Sequence, residues 1–132
     1  MPFAELDALY SDILSRVEDI NATLRLLGAI ILSKARDKST EFMEELILLD
    51  EGDATRLLAD LSSIIVVNEQ SNIRVLHASL GDFLLDLARS KEFHINPTAI
   101  FSELSHIALH RIARLGWLHI REYSEYFLAS VI

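Results

Sequence analysis

The residues best suited to do chemistry lie in one stretch, residues 73–86, which the sequence predicts to be a strand followed at once by a helix. In a strand that ends at His77, Ile73, Val75 and His77 would fall on one side, with Arg74 and Leu76 on the other. Ser79 stands three residues before Asp82, the pattern of a helix N-cap with an acid at the third helical position. Free N–H groups at a helix start favour negative charge, so His77 beside them is a candidate phosphate contact.

A purely structural role for His77 is the competing interpretation. A half-buried histidine at the end of a strand can donate a hydrogen bond from its ring to a backbone carbonyl oxygen and have no further role. From the residue pattern alone, this is the commoner situation, because short motifs are hypotheses and not proofs.

Two further groups of residues have the types that chemistry needs. His106 and His110 are four residues apart on a predicted helix, with Glu103 before them, so they share a face that could hold zinc. An H-E-x-x-H order is missing and a third ligand is not obvious, which favours two surface or interface histidines. We therefore expect no metal site.

Pairs of acids offer the other possibility, general acid–base catalysis. The candidate carboxylate pairs are Glu44 with Glu45 and Asp7 with Asp12. Helical periodicity predicts that all four face solvent, and no Ser-His-acid pattern accompanies them. We expect no enzymatic activity.

Composition bounds the class of protein. The chain has 132 residues, of which 51% are apolar and 24% charged, enough for a single soluble domain over residues 1–132. The absence of cysteine excludes disulfides and thiolate catalysis. A formal net charge of −8 disfavours nucleic acid and anionic membranes as partners. No signal peptide is visible and the most apolar run, residues 24–32, is too short to span a bilayer, so we expect a cytoplasmic protein.

Hydrophobic periodicity predicts a mainly α-helical, winged-helix-like domain with one small β-hairpin and flanking helices. Three helices followed by a hairpin is the winged-helix order, with the core at about 21–90 and a C-terminal helical extension at 97–132. The expected caps are Asn21, Thr40, a turn at 50–53, Ser79 and Asn96 before Pro97. The predicted helices cover residues 4–17, 21–33, the segment after Thr40, 53–62, 79–90 and 97–115, and the strands cover about 64–67 and 73–77.

A winged helix often binds DNA, but this one lacks the charges to do so. The predicted recognition helix at 53–62 and its lead-in contain Asp50, Glu51, Asp53 and Asp60 against a single arginine, Arg56. A recognition helix needs basic side chains for phosphates and base edges. We therefore expect no nucleic-acid partner.

An apolar and aromatic stripe at the C-terminal end predicts one more helix. Its members include Trp117, Ile120, Phe127 and Val131. Such a helix either completes the core or forms an interface with a neighbouring domain or a second copy of the chain.

Several blocks of this chain resemble the region downstream of the nucleotide-binding core in fungal NACHT-type NLR-like proteins, signal-transduction NTPases of the STAND class. The similar blocks are residues 3–14, 26–32, 58–65 and 73–86, within about 3–112, and His-Ala-Ser-Leu-Gly-Asp-Phe-Leu at 77–84 is the most specific. The resemblance implies that His77 contacts the β-phosphate of bound ADP and holds a closed, inactive state, with Ser79 in a neighbouring motif position. Leu80 and Gly81 depart from the residues common in the family.

The nucleotide itself must be held elsewhere. No G-x-x-x-x-G-K-[ST] motif occurs here, since the glycines at 28, 52, 81 and 116 are scattered, and no Walker B-like strand end is evident. We expect an excised or truncated fragment that carries no cofactor of its own, with ADP or ATP implied only for the full-length protein.

The sequence thus predicts a regulatory winged-helix module of an NLR-like NTPase, whose partner is the nucleotide-binding core of the same protein or a neighbouring domain. A homo-oligomer through the C-terminal aromatic helix is a further possible partner arrangement. The alternatives are a free-standing acidic protein–protein interaction module and, less favoured, a DNA-binding winged helix.

Overall fold

A computed structural model describes residues 3–34, 36 and 38–115 of the chain, and the stripe predicted at 117–131 lies outside them. The described part is mainly helical, with one two-stranded antiparallel sheet, as predicted. Its elements in chain order are α1 (Ala4–Ser15), α2 (Ile20–Leu32), α3 (Thr40–Leu46), α4 (Asp53–Ala59), β1 (Ile65–Val67), β2 (Ile73–Val75), α5 (Ser79–Leu85), α6 (Leu87–Ser90), a 3₁₀ turn (Lys91–Phe93) and α7 (Pro97–Leu115).

The second helix is the centre of the core, as its nearly unbroken apolar sequence predicts. Leu26, Leu27 and Ala29 are fully buried, and α2 contacts α3, α4 and α7. Gly28 allows α7 to approach closely, because a Cβ at this position would lie only 2.9 Å from the Cδ1 atom of Ile100. The helix packing therefore depends on a small residue in the middle of α2.

One charged residue interrupts the apolar sequence of α2 and joins three helices. Arg25 Nε donates to Glu103 Oε1 on α7 at 2.7 Å, and its guanidinium also donates to the carbonyl oxygen of Ile47 after α3 at 3.0 Å. Because both ionic side chains remain more than a third exposed, the pair serves mainly to orient the helices.

The hairpin is attached to the helices through the segment before α3. Within it, Ile65 pairs with Val75, and Val67 with Ile73. On the other side of β2, the N–H of Ile73 donates to the carbonyl oxygen of Lys38 at 2.9 Å, next to an isolated bridge between Ser39 and Asn72. From α2 onward the chain forms a helix, a short extended segment, two helices and two strands. This is the order of a winged helix.

Lys38 also closes the end of α2. Its ammonium group donates to the carbonyl oxygens of Ile30 and Ser33, and burial lowers the pKa of Lys38. A cation at this position satisfies carbonyl groups that the helix itself leaves free.

The predicted hairpin is present but shorter than expected at both outer ends. Ile64 is not in β1, because its N–H donates to the carbonyl oxygen of Leu61 in the turn after α4. Leu76 and His77 lie beyond β2, although the N–H of Leu76 still reaches the carbonyl oxygen of Ile64 at 2.9 Å. His77 therefore follows the strand instead of ending it.

The side-chain caps of α2 and α3 lie one or two residues before the predicted ones. Asp19, not Asn21, caps α2 by accepting a hydrogen bond from the N–H of Ala22 at 3.1 Å. Ser39, not Thr40, caps α3, where its hydroxyl accepts from a backbone N–H at 3.1 Å. In both cases a neighbouring residue of equal capping ability has the non-helical backbone that the position requires.

The helix predicted at 79–90 is two helices. Asp86 breaks it, because its backbone is extended (φ −97°, ψ 106°) and its carboxylate accepts hydrogen bonds from the N–H groups of Ala88 and Arg89. A 3₁₀ turn at Lys91–Phe93 follows α6 directly.

Two acids that were expected to face solvent are engaged in the structure. Glu44 is buried, and its carboxylate accepts a hydrogen bond at 2.9 Å from the N–H of Ala54 in the first turn of α4. Asp7 pairs with Arg89 at 2.8 Å, which fastens α1 to α6. Hydrogen bonding to Asp7 raises the pKa of Arg89, whose guanidinium carbon also lies 4.3 Å from the Phe3 ring centroid.

Candidate functional site at the His77 turn

The turn between β2 and α5 presents His77 at the surface. The strand ends at Val75, Leu76 still bonds across the hairpin, and His77 follows with an exposed side chain. The ring is therefore not sealed inside apolar packing. An exposed imidazole can donate a hydrogen bond to an incoming anion without first losing a buried partner.

The start of α5 differs from the sequence prediction. Ser79 is the first helical residue, the cap position belongs to Ala78, and no side chain caps the helix. The N–H groups of Leu80 and Gly81 donate to the carbonyl oxygens of His77 and Ala78 at 3.1 and 3.2 Å. These two N–H groups, which the sequence suggested as phosphate donors, are therefore already hydrogen-bonded. A phosphate contact at this turn rests chiefly on His77.

The Ser79 hydroxyl has another partner instead. It shares a hydrogen bond of 2.7 Å with the hydroxyl of Tyr10 on α1. Tyr10 is fully buried, and its ring packs at a tilt on Phe83 with the centroids 5.3 Å apart.

Tyr10 is the residue of this site that sequence reasoning missed. Its position on the apolar stripe of α1 predicts a buried ring. A buried tyrosine hydroxyl also needs a partner. Nothing in the periodicity points to one 69 positions away.

A surface groove runs beside His77 and gives the site its shape. Its volume is about 310 Å³, at the small end of the range for ligand pockets. Four of its side chains come from α1, and the others come from the turn after α4 and from the His77 turn. The groove is lined by Leu6, Leu9, Tyr10, Ile13, Ser63, Ile64, His77 and Ser79.

The chemistry of these residues fits one phosphate contact and little more. The polar groups of this mostly apolar groove are one exposed imidazole, the Ser63 hydroxyl and the hydroxyl pair of Ser79 and Tyr10. A nucleoside diphosphate site needs several backbone N–H groups, basic side chains or a metal ion around the phosphates. The residues that line the groove do not supply such a set of ligands by themselves.

The other candidates do not form a site with His77. His106 and His110 are exposed on α7. Among the described residues, no three histidine, aspartate or glutamate side chains come close enough together to hold a metal ion. Within the same residues, none of the helices combines the length and hydrophobicity of a membrane span.

Comparisons of the chain with protein-family models, with curated proteins and with solved structures find no significant match. The resemblance to NACHT-type proteins accordingly stays a prediction from the sequence.

Proposed function

We propose that this chain is a regulatory winged-helix module that packs on a nucleotide-binding core, in the same protein or in a neighbouring domain. In that complex His77 donates a hydrogen bond to the β-phosphate of ADP and so favours the closed state. The observation that supports the proposal is the exposed imidazole at the end of the hairpin, beside an apolar groove.

The module acts in this proposal by differential contact. The core supplies most of the phosphate ligands, and this chain adds one hydrogen bond that exists only when ADP and the closed arrangement occur together. The groove supplies apolar contact area for the core next to that hydrogen bond. The protein is cytoplasmic in this proposal, and the chain itself catalyses no reaction.

The test uses the larger protein that joins this chain to its nucleotide-binding core. His77→Ala should release ADP faster and raise basal signalling, because one phosphate contact of the closed state is lost. ADP release is measured by displacement of a fluorescent analogue. His106→Ala is the matched control, since it removes an exposed histidine from α7. Equal ADP release from His77→Ala and the unaltered protein would count against the proposal.

A second measurement uses the 132-residue chain alone. Titration calorimetry with ADP should show no measurable heat of binding, because most phosphate ligands belong to the core. A clear affinity for ADP would show that the chain holds a nucleotide by itself and would refute this division of roles.

The alternative is a free-standing acidic protein–protein interaction module. Its support is the same groove, where Leu9 is half exposed, on a chain with a formal charge of −8. Leu9→Glu would then abolish partner binding, whereas His77→Ala would leave it unchanged. Under the regulatory proposal both variants weaken the closed state.

DNA binding is the least favoured function for this winged helix. Arg56 lies on the helix that would read DNA, and it pairs there with Asp53 at 3.4 Å. Salt-sensitive binding to duplex DNA in a fluorescence anisotropy titration would revive that function.

A further inference from the structure

The hydrogen bond between Tyr10 and Ser79 joins α1 to the turn that presents His77. It is 2.7 Å long and connects residues 69 positions apart, and its tyrosine is fully buried. Both residues line the groove together with His77. The link is therefore a direct connection between the core side of α1 and the candidate site.

The helix that follows the His77 turn has no side-chain cap. Backbone bonds from Leu80 and Gly81 close the turn locally, to the carbonyl oxygens of His77 and Ala78. They fix the turn on itself but not its position relative to α1. That position is set by the packing of Phe83 against Tyr10 and, at Ser79 itself, by the shared hydroxyl bond.

We propose that Tyr10 is a positioning residue, which holds the His77 turn through Ser79 in the orientation that presents the imidazole. The structural part of this inference is independent of the proposed function. Its consequence, the retention of ADP, rests on the proposed function. A displacement of α1 that breaks the bond would release the turn and weaken the phosphate contact.

The structural part is tested on the 132-residue chain. Tyr10→Phe keeps the ring against Phe83 and removes only the hydroxyl. Hydrogen exchange at the N–H groups of Leu80 and Gly81 should become about two- to tenfold faster, the equivalent of one net hydrogen bond, and the NMR signals of the His77 ring should shift.

Two further variants complete this measurement. Ser79→Ala removes the same bond from its other end and should give the same changes. Thr23→Val is the control, because it removes another buried hydroxyl bond, to the carbonyl oxygen of Asp19, and should leave the turn unchanged. Unchanged exchange and His77 signals in Tyr10→Phe would overturn the inference.

The functional part is tested in the larger protein with its nucleotide-binding core. Tyr10→Phe should speed ADP release by about two- to tenfold, with no additional effect in a protein that already carries His77→Ala. Faster release from His77→Ala but not from Tyr10→Phe would overturn the positioning role and leave the proposed function intact. No change from either variant would overturn the proposed function itself.

Discussion

The starts of α7 and α5 carry similar sequence signals and yet are built differently. Asn96 caps α7, because its side-chain oxygen accepts hydrogen bonds from the N–H groups of Thr98 and Ala99 at 2.9 and 3.4 Å. Ser79 was expected to cap α5, but its hydroxyl bonds to Tyr10, and α5 begins with no side-chain cap.

The difference shows where each helix obtains its stability. At α7 a side chain satisfies the backbone next to it, and the helix start is determined locally. At α5 the hydroxyl is used to connect two distant elements, and the short helix is held by its buried face of Leu80, Phe83 and Leu84. The start of α5, where Ser79 bonds to Tyr10 and does not cap its own helix, lies at the candidate site.

Phe83→Ala should have the largest effect, because packing and not capping holds α5. Phe83 is fully buried and lies against Tyr10. We expect a loss of about 3–5 kcal/mol in the free energy of unfolding, measured by urea denaturation. Val66→Ala, on the exposed side of the hairpin, should change it by less than about 0.5 kcal/mol. Comparable losses in the two variants would mean that Phe83 is not a core residue.

Asn96→Ala should come next, with a loss of about 1 kcal/mol in the free energy of unfolding. The side-chain oxygen that satisfies two N–H groups of α7 is removed. Asn96→Asp keeps an acceptor and should retain most of the stability. Thermal unfolding followed by circular dichroism measures both variants, and equal stability of Asn96→Ala and the unaltered chain would show that the cap contributes nothing.

A double-mutant cycle tests the bond that replaces the cap at α5. Tyr10→Phe and Ser79→Ala should be coupled by about 0.5–1 kcal/mol in the free energy of unfolding, since they share one hydrogen bond. Ser79→Ala and Asp82→Ala should be nearly additive. Coupling of Ser79 with Asp82 instead of Tyr10 would restore the capping pattern that the sequence suggests.

Features with local causes were predictable from the sequence. The Asn96–Pro97 start of α7, the burial of α2 and the hairpin each follow from neighbouring residues, and the structure confirms them. Where two adjacent residues can cap equally well, as at Ser39 and Thr40, the pattern does not determine which one has the extended backbone.

Features with distant partners were not predictable in the same way. Glu44 has the spacing of a surface residue, but its partner Ala54 belongs to the next helix. Asp7 pairs with Arg89, which lies 82 positions later in the chain. Tyr10 bonds to Ser79, which lies 69 positions later. Periodicity specifies the face on which a side chain lies, but it does not specify which polar group the fold brings to that face.

The end of α3 extends this comparison of helix termini. A substitution there should have the smallest effect, a gain in the free energy of unfolding. Leu48 follows α3 with φ +60° and an exposed side chain, at a position where the N–H of Leu49 bonds back to the carbonyl oxygen of Glu44. Glycine is the usual residue there, because it adopts positive φ without strain. Leu48→Gly should therefore raise the free energy of unfolding by about 0.5 kcal/mol, the relief of strain less the added freedom of the unfolded chain. Gly52→Ala, at φ +89° before α4, is the reciprocal control and should lose stability in the same urea titration. A loss in Leu48→Gly would show that the leucine side chain contributes more by packing than its backbone costs.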